Sequence, residues 1–124
     1  MTSTELKHRL KSFAIRIVNL VDSIPSTPAG RAIANQIVRS GTSPAANYRA
    51  ACIGKSDKDF LNKLKIVEEE LDETLYWLEL LGDNSLVRSN LLTELHKENE
   101  ELLRIIVSSI ITIKKKLNSL PPNR

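Results

Sequence analysis

The side chains with the most chemical potential in this chain are few and scattered. Cys52 is the only cysteine. A nucleophilic thiol needs a neighbouring base to draw off its proton. Its sequence neighbours are Ala50, Ala51 and Ile53, so it reads as a small core residue. Glu5-Leu6-Lys7-His8 carries the Glu-x-x-His spacing of half a di-metal site in a helical bundle, which needs two such pairs and two further carboxylates. The other histidine, His96, has Thr93 three positions before it. The set is incomplete, no metal or other cofactor is expected, and both histidines read as solvated surface residues. Glu68, Glu69, Glu70, Asp72 and Glu73 bring carboxylates close in sequence. On a helix such a run points in several directions and reads as a solvated face rather than an acid–base pair. There is no Gly-rich phosphate loop and no Ser/His/Asp set. The expected role is therefore not enzymatic.

What remains is charge. Arg16, Arg31, Arg49, Lys55, Lys58, Lys63 and Lys65 fall in the first half, and Lys114, Lys115 and Lys116 end the last helical segment. Contacts from such residues go to phosphates, so RNA or DNA binding through them is salt-sensitive and poor in sequence readout. The terminal lysines have an ordinary explanation too, since a cation at a helix C-terminus gains about 0.3–1 kcal/mol. Repeated around the axis of an oligomer, a modest patch becomes a strong polyanion site. Arg39 lies two residues from Gly41 in a stretch of small side chains. It reads either as a partly shielded partner of Glu69 and Glu73, with Asn47 sharing the network, or as a solvent-facing residue. Tyr76 and Trp77 read as packing residues with polar tips, base stacking being the alternative.

At 124 residues the chain is one domain, 1–124. Its net charge of +3 conceals strong segregation. Residues 1–66 sum to +7, residues 67–101 to −9 and residues 102–124 to +5. Faces of opposite sign dock subunits or attract a polyanion. One cysteine and no apolar leader at the N-terminus suggest a cytoplasmic protein. The run from Leu102 to Ile113 is too short to span a bilayer, so no membrane role is expected.

The elements that must position these groups are helices. Leu6, Leu10, Phe13, Ile17, Leu20 and Ile24 alternate at steps of four and three, a heptad seam, in a helix spanning about 4–24. Ser3 or Thr4 starts it, and Pro25 ends it. Thr27 and Pro28 open a second helix, 28–53, as cap and first residue. Inside it Gly41, Ala45 and Cys52 form a small-residue stripe where another backbone can approach. Gly41 and Pro44 weaken the helix by about 1 and 3 kcal/mol. A kinked helix is expected, the alternative being a break at which Ser43 caps a new segment. Ser56 caps a third helix, 57–81, closed by Gly82, with a seam of Phe60, Leu64, Val67, Leu71, Leu78 and Leu81. A fourth spans 89–118 and becomes apolar nearly all round between Leu102 and Ile113. Three neighbours in one small bundle cannot cover such a helix, so its spare face should bury against another subunit. Pro121 and Pro122 end the fold.

Arg39 to Tyr48, R-S-G-T-S-P-A-A-N-Y, followed by S-D-K-D-F-L-N-K-L and E-E-E-L-D-E-T-L-Y-W-L-E-L-L, resembles the family of bacterial 23S rRNA intervening-sequence proteins. That family includes the accessory variability protein of diversity-generating retroelements. The likeness covers nearly the whole chain and is most specific from Arg39 to Leu81. Pro44 departs from the apolar residue usual there. The resemblance implies an all-α, antiparallel up-down four-helix bundle, often assembled as a pentameric barrel, and brings no catalytic residues. It also implies a reverse transcriptase as a protein partner. The leading expectation is a non-enzymatic homo-oligomer that binds RNA or DNA electrostatically. The alternative is a protein-interaction or structural module with no nucleic-acid role.

Overall fold

The computed structural model describes residues 1–119, so the expected stop at Pro121 and Pro122 lies outside the described residues. Four helices follow in order: α1 (Ser3–Val21), α2 (Pro28–Cys52), α3 (Asp57–Asp83) and α4 (Ser89–Asn118). Among the described residues there is no strand. Short connections make consecutive helices antiparallel neighbours. α2 packs between α1 and α3, α3 packs on α4, and α1 meets α4 over a shorter stretch to close the square.

The heptad seams form the core. Leu10, Phe13 and Ile17 of α1 face Ile37 of α2, Leu64, Val67, Leu71 and Leu81 of α3, and Leu102 and Ile106 of α4, all essentially sealed from solvent. Each side chain of this kind contributes about 1.5–3 kcal/mol on burial. No described helix is long and apolar enough to cross a membrane.

The helix ends differ from the sequence reading in instructive ways. Thr2, not Ser3 or Thr4, caps α1, its hydroxyl accepting from the Glu5 amide at 3.1 Å. α1 stops at Val21, because the residue before Pro25 is pushed out of helical geometry. Ile24 still reaches the core from the turn. α2 runs unbroken through Gly41 and Pro44. Ser43 is therefore no cap; its carbonyl instead accepts from Asn47 Nδ2 at 3.1 Å. Packing holds the helix together there. Pro44 is buried, and a Cβ on Gly41 would lie 2.7 Å from Ile17 Cγ2, which shows how closely α1 approaches. Gly82 does not close α3. The left-handed residue is Ser85, with φ 54°. The Leu86 amide donates to the Leu81 carbonyl and the Ser85 amide to that of Gly82, both at 3.0 Å, in the Schellman pattern.

α4 exposes less than its composition suggested. Leu102, Ile106, Ile110 and Ile113 are buried within the protomer, and Leu103, Ile105 and Val107 are partly covered. α1 on one flank and α3 on the other explain the difference. The excess narrows to a stripe on the α3 side ending at Ile111, which is 50% exposed.

Candidate functional site

Antiparallel packing gathers most of the basic residues at one end of the bundle. Arg49 lies in the last turn of α2, Lys55 in the α2–α3 connection, Lys58 in the first turn of α3, and Lys114, Lys115 and Lys116 at the end of α4. All are exposed. Lys116 pairs with Asp57 across the α4–α3 corner at 2.9 Å. Among the described residues the other five have no carboxylate partner, so their charge is available to a ligand. Cations here also answer the C-terminal ends of α2 and α4.

Three of the candidates stand apart. Arg16 faces outward on the far half of α1, and Arg31 sits at the opposite end, its guanidinium donating to the Ser26 carbonyl. Lys63 is part-buried further along α3. In their place α1 contributes Lys7, His8 and Lys11, which share a groove with Arg49 over a floor of Thr42, Ala45 and Ala46. The sequence reading passed over Lys7 and Lys11. Their four-residue spacing was visible, but which way they face depends on where α2 lies.

The Arg39 network also takes a different form. Its guanidinium donates to Glu73 Oε2 at 3.0 Å and reaches Glu70 Oε1 at 3.5 Å. Glu69 is exposed and outside the network, because it lies one residue off the stripe that faces α2. Asn47 turns along its own helix to the Ser43 hydroxyl at 2.8 Å. The Arg39 side chain is 57% exposed, so this is a surface ion pair and not a shielded one. Exposed pairs contribute about 0–1 kcal/mol. Arg39→Met should therefore change the chemical-denaturation stability by less than about 1 kcal/mol. A loss of several kcal/mol would contradict this placement.

The remaining candidates fall into structural settings. Trp77 donates through Nε1 to Glu73 Oε2 at 3.2 Å and packs on the core, while Tyr76 stands edge-on to it with ring centres 4.9 Å apart. His96 lies between Glu79 and Glu100, 3.1 Å from each. Cys52 is half-buried beside the loop at Lys55 and Phe60. Burial, with Cys52 adjacent, pushes the Tyr48 hydroxyl up to about 12. Among the described residues no three His, Cys, Asp or Glu side chains converge as metal ligands.

The model of the 23S rRNA-intervening sequence protein family matches residues 3–108. A solved structure from Bacteroides thetaiotaomicron, described as a protein with unknown function from the S23 ribosomal protein family, is 36% identical. It aligns over 85% of this chain and 97% of its own length, with a TM-score of 0.79. No curated protein matches.

Proposed function

This chain belongs to the 23S rRNA-intervening sequence protein family, and from that premise we propose that it is a non-enzymatic, self-associating scaffold that holds RNA or DNA by its phosphates. The observation that carries this reading is the basic end of the bundle. Arg49, Lys55, Lys58, Lys114 and Lys115 come from three helix ends and a connection, and among the described residues none is neutralised. No aromatic platform lies among these cations, so the site suits backbone contact rather than base readout. Self-association multiplies a patch that is weak in one copy, and the apolar stripe at Ile111 supports it. A reverse transcriptase, implied by the family resemblance, belongs to the same proposal as a protein partner.

Titration of a labelled single-stranded RNA at low and raised salt tests the reading. Binding should fall steeply with salt, with about 0.7 in the log–log slope for each phosphate neutralised. Changing Lys55, Lys58 and Lys114 together to Gln should weaken binding to all sequences alike and lower that slope by about 2. Absence of binding at low salt would instead favour an interaction module whose cations serve protein contacts.

A further inference from the structure

Two opposite sides of the bundle carry unpartnered surfaces of complementary character. On α1, Lys7, Lys11, Ile15 and Val18 succeed one another at helical spacing. Ile15 is 52% and Val18 47% exposed. Lys7 and Lys11 border a groove floored by Thr42, Ala45 and Ala46, short side chains over which another surface can approach closely. Among the described residues neither lysine is ion-paired. On the other side, Leu75 of α3 and Leu103, Val107 and Ile111 of α4 line an apolar groove. Glu68 and Asp72 share the stripe of Leu75, seven and three residues before it, and make the α3 edge acidic. Neither pairs with a cation among the described residues. Arg104 and Lys115 stand on the α4 edge, so the groove's charge is directional. The order of helices around the bundle sets the α1–α2 pair opposite the α3–α4 pair.

We propose that the α1 ridge of one copy docks into the α3–α4 groove of a second copy. Ile15 and Val18 cover Leu75, Val107 and Ile111, while Lys7 and Lys11 lie along the edge formed by Glu68 and Asp72. The two surfaces are different, so the contact is head to tail and propagates until a ring closes. This rests on the self-association proposed above and supplies the surface that meets the apolar stripe of α4.

Two variants test it by sedimentation velocity, with circular dichroism to confirm the fold. Ile111→Glu blocks the groove, and Ile15→Glu with Lys11→Glu blocks the ridge; all three positions are exposed. Wild type should sediment as an assembly and each variant alone as a monomer. An equal mixture should form dimers, since one intact ridge and one intact groove remain between the two variants. A charge exchange, Lys11→Glu with Asp72→Lys, should restore assembly that Lys11→Glu weakens. Variants that keep the wild-type size, or a mixture that stays monomeric, would overturn this pairing while leaving self-association standing. A monomeric wild type would overturn both.

Discussion

Gly30→Ala will lower the folding stability by about 2–3 kcal/mol, the sum expected from overpacking and a damaged cap. The connection between α1 and α2 folds back over the first turn of α2. A Cβ at position 30 would stand 1.9 Å from the Pro25 carbonyl oxygen and 3.1 Å from Thr27 Oγ1. The first of these is a backbone atom and cannot swing aside, so the whole connection must move. Three interactions move with it. The Thr27 hydroxyl accepts from the Gly30 amide at 3.0 Å, the Arg31 amide donates to the Thr27 carbonyl at 2.9 Å, and Ile24 fills the top of the core. Alanine gains up to about 1 kcal/mol of helix propensity over glycine, too little to offset these losses. A thermal melt should drop by roughly 10 °C for a domain of this size. Gly82→Ala is the control, because its Cβ would meet nothing closer than Leu92 Cδ1 at 3.4 Å. An unchanged melt for Gly30→Ala would show that the connection does not sit on the helix as described.

The contrast between these glycines marks what a sequence can disclose. Periodicity is local, so the seams of α1 and α3 and the cap–proline pair Thr27-Pro28 were legible, and the same residues form the core and the α2 start. Gly82 looked like a terminator by type, yet the left-handed residue is Ser85. The choice depends on where Leu86 must go to bond Leu81, which is a tertiary matter. Gly30 gave no signal because its constraint comes from the path of Pro25. The basic end was legible in part. Cations at the ends of α2 and α4 meet because antiparallel helices bring their termini together, whereas Arg16 and Arg31 share only sign with them. Lys7 and Lys11 required the azimuth of α1 against α2, information that no window of sequence holds.

Asn99 is the one seam position whose chemistry opposes its place. Leu92, Leu95, Asn99, Leu102 and Ile106 follow the steps of three and four that face the core. Asn99 is 0% exposed, and neither its Oδ1 nor its Nδ2 has a hydrogen-bond partner. The other buried polar pair is satisfied: the Thr74 hydroxyl donates to the Glu70 carbonyl at 2.8 Å, leaving the Ser40 hydroxyl, 2.9 Å away, to donate to Thr74. An unmade amide costs about 1–3 kcal/mol, and leucine fills a similar space without polar atoms. Asn99→Leu should therefore raise stability by about 2 kcal/mol, seen as a higher denaturation midpoint with an unchanged slope. Such a cost is tolerated where a polar residue fixes helix register, since a seam of leucines alone lets α4 slide by a heptad. The same variant should then show poorer dispersion in its amide NMR spectrum despite its higher midpoint. A fall in midpoint would mean that the amide is satisfied in solution, and that the core at Asn99 is built around that bond rather than against it.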